Sequence, residues 1–249
     1  MNKRKITACA VLTAVLCTGC SRDKTISCNG PVTAENVTQV SALLREAGLS
    51  HTEEFEEWVK DTDEAETEGF SGADCRMTVF LLAGDQIAYD STEETYDGDI
   101  LMFDLDAIEN DPAFSVLKER EDLFTTLFGE MPVPESGYQE ALPDRWKQHG
   151  IRFENDRCSV ISIVFQAYEE EKVFVGHTGI LIDCRDKNNI PSDYVFVEKI
   201  SFTDPFIITP VRDENELISI LSERPDYTVE EGEYPPQVYR NDIWIGELK

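Results

Sequence analysis

The stretch Lys172-Val-Phe-Val-Gly-His-Thr-Gly-Ile-Leu-Ile-Asp-Cys184 decides the fold, because it is a long run of β-forming residues. A second run, Tyr194–Phe202, follows it and alternates strictly between two sets of side chains. Eight of the nine residues between them, DKNNIPSD (186–193), are typical of a turn. The two runs are therefore predicted to form an antiparallel hairpin.

Further strands and helices extend outward from this hairpin. Strands are predicted at Cys158–Ala167 and Phe206–Arg212, and a final strand pair at Tyr239–Leu248. Apolar residues at helical spacing predict helices at Ala34–Ala47, His51–Ala65, Asp74–Ala83, Asp111–Gly129, Ala141–His149 and Glu214–Leu221. Helices first and a mostly antiparallel sheet afterwards indicate an α+β fold.

Two polar residues interrupt the apolar pattern of the hairpin. Glu198 shares its face of the strand with Tyr194 and Phe196, and a buried carboxylate needs a partner. His177 is predicted to share a face with Val175 and with other apolar residues of its strand. Hairpin pairing would let Glu198 meet His177, fix its tautomer and raise its basicity.

Each of these residues also has a structural interpretation. His177 could be a satisfied core histidine, and Glu198 could form a structural ion pair with Arg76 or Arg152. Gly176 and Gly179 lie close to His177, where the lack of a side chain would let a backbone or a ligand approach.

Cys75 opens a predicted helix, with Asp74 as its N-cap. A thiol in the first helical turn gains thiolate character from the N–H groups there. Together, Cys75, His177 and Glu198 are the candidate nucleophile, base and orienting acid of a cysteine hydrolase. The alternative is that Cys75 is inert core or half of a disulfide.

The N-terminus is typical of an exported protein. A basic start is followed by an apolar run, Ile6–Cys17, and then by Thr18-Gly19-Cys20, an order that resembles a bacterial lipoprotein signal. The resemblance implies that Cys20 becomes the lipidated N-terminus and anchors the protein to the extracytoplasmic face of the cell membrane. We predict a signal peptide at 1–19, a tether at 20–32 and one domain at 33–249.

The remaining cysteines suit an oxidising compartment. Cys28, Cys75, Cys158 and Cys184 would allow two disulfides, with three possible connectivities. No CxxC pair or paired histidine spacing indicates a zinc site, and we predict no cofactor and no metal.

The charge of the chain excludes one class of function. Its 249 residues contain 22 Lys+Arg against 50 Asp+Glu, for a formal net charge of -28. Phosphate would be repelled, so we predict no nucleic-acid partner. Pairs of acids at Asp97 and Asp99, and at Asp104 and Asp106, lack the spacing of a calcium-binding hand and are more typical of helix starts.

The chain resembles the bacterial lipoproteins of domain-of-unknown-function family 4300. The matching segments are Asp74–Leu82, Phe103–Ile108, Trp146–Phe153, Phe174–Leu181 and Phe196–Phe206. Asp74 replaces the Asn usual in the family, which bears on any oxyanion or orienting role there, and Thr-Asp-Pro at 203–205 replaces a Gln-Glu-Pro. This family name implies kinship but no activity.

His-Thr-Gly-Ile-Leu, at 177–181, is similar to the His-x-Gly-Ile strand of NlpC-type papain-like cell-wall peptidases and amidases. The similarity implies roles for Cys75, His177 and Glu198, although the 102 residues from Cys75 to His177 would need inserted helices. The expected function is a papain-like hydrolase of amide bonds in peptidoglycan or peptides. The alternative is a non-catalytic surface binding lipoprotein on the same scaffold.

Overall fold

The computed structural model of the chain describes residues 29–64, 72–92, 95–166, 171–228 and 234–249. The predicted signal peptide, Cys20 and Cys28 lie outside these residues, and so does most of the predicted tether.

The helices are concentrated in the first half of the described chain. They are α1 (Val37–Glu46), α2 (Thr52–Glu64), α3 (Cys75–Ala83), α4 (Met102–Asn110), α5 (Ser115–Lys118), α6 (Glu121–Phe128), α7 (Ala141–His149) and α8 (Glu214–Ser222). Their ends follow local chemistry: the Asp74 carboxylate accepts the Met77 N–H at the start of α3, and Gly150 ends α7 with a left-handed φ of 64°.

The longer strands follow in the second half. The strands are β1 (Gly30–Pro31), β2 (Ile87–Ala88), β3 (Met131–Pro132), β4 (Arg152–Phe153), β5 (Cys158–Gln166), β6 (Lys172–Asp183), β7 (Tyr194–Lys199), β8 (Phe206–Val211), β9 (Gln237–Arg240) and β10 (Ile243–Glu247).

One antiparallel sheet organises the fold. Its order is β1-β8-β7-β6-β5-β9-β10, β3 also pairs with β6, and β2 pairs with β4 in a separate ribbon. The predicted α+β class is confirmed, as is the antiparallel pairing of β6 with β7. β1 lies within the predicted tether, because Gly30 and Pro31 pair with β8.

Apolar clusters cover both faces of the sheet. Val160, Val197 and Ile180 face the first cluster, which also contains apolar residues of α1, α3 and α6. Ile163, Leu181 and Phe196 face the second cluster, which α8 completes with Leu217 and Leu221. The sheet is therefore a middle layer.

The predicted helix over Asp111–Gly129 is wrong as a single element. The chain forms a 3₁₀ turn at Pro112–Phe114, then α5, then α6, with Glu119 and Arg120 between the two helices. Asp104 and Asp106, which are typical of a helix start, both lie within α4, and Asp104 is in its first turn.

Candidate functional site

A gap in the partners of β6 forms the centre of the site. On the edge opposite β5, β3 pairs with Lys172 and Val173, and β7 pairs with Gly179–Asp183. The start of α3 enters between them: the Cys75 sulfur lies close enough to the Thr178 backbone for it to favour the ionised thiol, and Arg76 donates to the Val175 carbonyl at 3.3 Å. Two side chains of a helix therefore bind the strand edge that neither β3 nor β7 pairs with.

A bulge beside this gap turns the histidine. Ile163 pairs with His177 and Val164 with Val175, so Gly176 is an extra residue in β6. The prediction that Val175 shares a face with His177 is wrong, because the bulge reverses the alternation and Val175 packs in the first cluster.

Aromatic rings fill the space beside both glycines of β6. A Cβ at Gly176 would lie 2.5 Å from the Phe165 ring, and one at Gly179 would lie 2.5 Å from the Phe196 ring. The close approach expected at these glycines is therefore made by side chains of the second face.

His177 and Glu198 meet, as predicted. Nε2 of His177 lies 2.6 Å from Oε2 of Glu198, and the two residues are only 3% and 1% exposed. Their strands pair directly, with Gly179 opposite Glu198. The bond uses Nε2 and leaves Nδ1 as the ring nitrogen available for proton transfer.

Arg224 completes the pair as a charged triplet. Its Nη1 donates to Glu198 Oε2 at 2.9 Å, and its Nη2 contacts Oε1. Burial alone would raise the pKa of Glu198, but the bonds from His177 and Arg224 outweigh it and hold the pKa below its usual value. The carboxylate is therefore ionised.

The segment after α8 covers this triplet. The Tyr227 ring lies 5.9 Å from the His177 ring, and its hydroxyl accepts from Arg224 at 3.3 Å. Cys75 is near enough to favour the neutral form of Tyr227 electrostatically. His177, Glu198 and Cys75 therefore lie in one neighbourhood, although the hydrogen bonds of the described residues do not join the Cys75 sulfur to His177.

Cys75 is a free thiol at the start of α3, 5% exposed. Burial raises its pKa to about 12 and the Asp74 carboxylate adds to the rise, while Arg76 and the Thr178 N–H oppose it. The thiolate character expected from the helix start is therefore outweighed by desolvation, and the resting thiol is protonated at neutral pH.

A second buried charge cluster holds the start of α3. Arg76 binds both carboxylate oxygens of Asp104, at 2.9 and 2.8 Å, and lies 2.9 Å from Asp74. Burial and the Asp74 charge raise the pKa of Asp104 above its usual value, although Arg76 opposes the rise. Asp74 and Asp104 share one cation, Arg76, and this arrangement favours retention of a proton on Asp104.

Lys199 packs on the side of β7 away from Glu198 and is fully buried. Its ammonium donates to the carbonyls of Ser201 and Phe202, at 2.8 and 3.3 Å, and to that of Asp204. Burial lowers the pKa of Lys199 to about 8, although Asp204, Asp74 and Cys75 favour its charged form. This residue ties the loop after β7 to the neighbourhood of Cys75.

Arg224, Tyr227 and Lys199 are the residues that sequence reasoning missed. The predicted partners of Glu198 bind elsewhere: Arg76 pairs with Asp104 and Asp74, and Arg152 with Asp90. Arg224 follows α8 in a polar stretch without periodicity, so nothing local indicated its target. Lys199 was visible only as a cation on an otherwise apolar strand face.

The other cysteines do not form the predicted disulfides within the described chain. Cys158 and Cys184 are buried, like Cys75, and no disulfide joins any two of these three residues. Burial raises the pKa of Cys158 to about 12. Two disulfides among the four cysteines would need at least one bond within this set, so that arrangement is wrong.

The described residues contain neither a metal-binding cluster of side chains nor a helix that could span a membrane. No group of three or more His, Cys, Asp or Glu side chains is arranged to hold a metal ion there. In the same part of the chain, no helix is both long enough and apolar enough to span a bilayer.

Comparison with known proteins gives a family and no activity. A family model described as "Domain of unknown function (DUF4300)" matches residues 30–245. Neither the curated proteins nor the solved structures include a match. The chain therefore belongs to the DUF4300 family, which confirms the family resemblance of its sequence.

Proposed function

We propose that this DUF4300 protein is a lipid-anchored, extracytoplasmic cysteine hydrolase of papain-like type, acting on amide bonds of peptidoglycan or peptides. The observation that carries the proposal is the placement of three groups on β6 and its neighbours. His177 is held through Nε2 by Glu198, and the backbone of the next residue, Thr178, lies close enough to the Cys75 sulfur to favour its ionised form.

In the proposed reaction, the Cys75 sulfur attacks the amide carbonyl carbon while His177 accepts the thiol proton. The N–H groups of the first turn of α3 stabilise the oxyanion. The C–N bond then breaks, and His177 returns the proton to the leaving amine. Water attacks the thioester as His177 takes its proton, which releases the acid and restores the thiol.

The raised pKa of Cys75 sets a condition on this mechanism. Because the resting thiol is protonated, proton transfer to His177 must accompany attack, rather than precede it in a stable thiolate–imidazolium pair. Glu198 supports that transfer, since an ionised carboxylate at Nε2 stabilises the imidazolium that forms.

The anchor is the second part of the proposal. It is supported by the basic start, the apolar run Ile6–Cys17 and the small residues before Cys20. Fatty acyl chains on Cys20 would supply the membrane affinity.

A non-catalytic binding lipoprotein is the second candidate, and the burial of Cys75 favours it. A thiol 5% exposed, with a pKa of about 12, is also what an inert core cysteine shows. On this interpretation Arg224, Glu198 and His177 form a structural ion-pair network.

Alkylation of the full-length protein by iodoacetamide between pH 6 and 9, followed by mass spectrometry, distinguishes the two candidates. Cys158 is a matched internal control, because it is also buried with a pKa of about 12. If His177 activates Cys75, we expect Cys75 to react with iodoacetamide at least about tenfold faster than Cys158 does. The difference should disappear in His177→Ala.

Equal rates at Cys75 and Cys158, or a fast rate that survives His177→Ala, would exclude the hydrolase. The binding lipoprotein would then be the better conclusion. Cys75→Ser identifies the labelled peptide and should remove the fast signal alone.

A further inference from the structure

A cavity of about 280 Å³ opens between residues 136–140 and the segment that leads into β9. It is separate from the His177–Glu198 pair. Its volume is just below that of most ligand sites, and a few polar groups converge in it beside aromatic rings.

Two stacked tyrosines form one wall of the cavity. The Tyr234 ring lies 5.3 Å from the Tyr138 ring, with 18° between their planes, and Tyr234 is 60% exposed. The Tyr138 hydroxyl donates to the Val164 carbonyl at 3.2 Å, which fixes the inner ring to β5. Tyr234 therefore presents its outer face to solvent on a rigid support.

A second exposed ring, that of Trp244, is bonded to Gln237, which lines the cavity. The Trp244 Nε1–H donates to Gln237 Oε1 at 2.8 Å, and Gln139 Nε2 donates to the same oxygen at 3.3 Å. Gln237 is 2% exposed, whereas Trp244 is 43% exposed. A buried amide thus orients an exposed indole beside the cavity, so little side-chain entropy remains to be lost on binding.

The polar lining excludes anionic ligands. Glu140 and Glu247 line the cavity, and none of its described lining residues is basic. The net charge of -28 adds to the repulsion. The groups available to bind a ligand are an aromatic face and the carboxylate and amide oxygens, which accept hydrogen bonds.

We propose that this cavity binds an uncharged oligosaccharide. A pyranose ring has an apolar face of C–H groups, whose positive edges suit the negative face of an aromatic ring. Its hydroxyl groups donate to carboxylate and amide acceptors. Two exposed rings, Tyr234 in the wall of the cavity and Trp244 bonded to Gln237, offer a chain of sugars more than one stacking face.

The cavity lies near the candidate catalytic site along the sheet. Gln237 pairs with Val164 on β5, and Val164 pairs with Val175 on β6, so the cavity is two strands from the gap that Cys75 enters. Tyr227, whose ring lies 5.9 Å from the His177 ring, precedes Tyr234 by seven residues in the sequence. The binding proposal nevertheless stands whether or not Cys75 reacts.

Titration of the full-length protein with chitotetraose tests the proposal, by calorimetry and saturation-transfer NMR in a detergent without a sugar headgroup. We expect binding to the unmodified protein, and affinity at least about tenfold weaker in Tyr234→Ala, because the stacking face is removed. Tyr234→Phe keeps the ring and should bind within about twofold of the unmodified protein. Tyr89→Ala removes an exposed tyrosine elsewhere and should have no effect.

Three outcomes would overturn the proposal. They are no saturation transfer to chitotetraose at millimolar concentration, unchanged affinity in Tyr234→Ala, and displacement of the sugar by lysine amide at lower concentration, which would assign the cavity to an organic cation. Iodoacetamide rates at Cys75 are independent of all three, so the two proposals fail separately.

Discussion

Arg224 controls the charge state of the candidate site at the scale of single residues. It supplies two contacts to a carboxylate that is 1% exposed. Removing one partner of a buried ion pair leaves the other charge without compensation. Because Arg224 follows α8, the packing of that helix helps to position the charge that holds Glu198 and, through Glu198, His177.

We predict that Arg224→Met lowers the free energy of unfolding by about 3 kcal/mol, and Arg224→Lys by less, because lysine keeps the charge and loses the paired contacts. Urea denaturation at pH 7 measures both. Arg185→Met breaks an exposed pair with Asp183 and should change stability little. Equal effects of Arg224→Met and Arg185→Met would contradict a buried network.

Asp104 makes stability depend on pH. Its pKa in the folded protein is raised above the usual value near 4 by burial and by Asp74, against the effect of Arg76. The folded state therefore holds this proton at pH values where the unfolded state has lost it. It follows that the stability contributed here falls as pH rises above about 4.

Asp104→Asn should flatten that dependence, because the amide cannot lose the proton. Between pH 5 and 8 we expect the variant to lose less stability than the parent, by on the order of 1–3 kcal/mol. Urea denaturation across pH measures the difference. Asp106→Asn, on the exposed side of α4, is the control and should retain the parent's profile. A profile in Asp104→Asn identical to the parent's would show that Asp104 does not titrate in this range.

The His177–Glu198 contact could be predicted because it depends on two local rules, alternation within a strand and pairing within a hairpin. Arg224 could not, since it reaches Glu198 from a turn whose position is set by tertiary packing. The prediction that the pKa of Cys75 is lowered failed for a related reason. A helix start is visible in sequence, but the desolvation that opposes it is not.

At the scale of elements, β6 shows what strand periodicity misses. Its bounds were predicted closely, whereas the extra residue Gly176 reversed the faces of everything before it. The prediction of one helix over 111–129 failed because the first turn is 3₁₀ and the helix is interrupted at Glu119 and Arg120. Long apolar strands were predictable; a one-residue insertion was not.

Gly179→Ala tests the packing of β6 against β7. A Cβ there would lie 2.5 Å from the Phe196 ring and 2.9 Å from the Val197 carbonyl. We expect destabilisation of about 1–3 kcal/mol from overpacking, measured by thermal and urea unfolding. Gly84→Ala meets only the Phe80 ring, at 3.3 Å, and should be nearly neutral. If the two variants behaved alike, the close contact at Gly179 would be in doubt.

For the whole molecule, the class and order of elements followed from composition along the chain, with helices before strands. The layering did not, because no sequence pattern indicated that α8 and Leu248 close the second face.

Metabolic labelling with a radioactive fatty acid tests the anchor. We expect the unmodified protein to incorporate label and to partition into the detergent phase of a Triton X-114 extract. Cys20→Ser should do neither, because it lacks the sulfur that carries the lipid. Cys158→Ser leaves that sulfur in place and should label normally. Label retained in Cys20→Ser would contradict lipidation at this residue.

The insertion of α3 into the edge of β6 also sets the order in which the protein is completed. Cys75 and Arg76 bind backbone groups of Thr178 and Val175, about a hundred residues further along the chain. Because the chain is synthesised from its N-terminus, the residues of α3 are made long before those of β6, the strand that they contact. Such distant contacts slow folding, and until β6 arrives the apolar residues of α3 are left without their final neighbours. The candidate site can therefore form only after β6 has been synthesised.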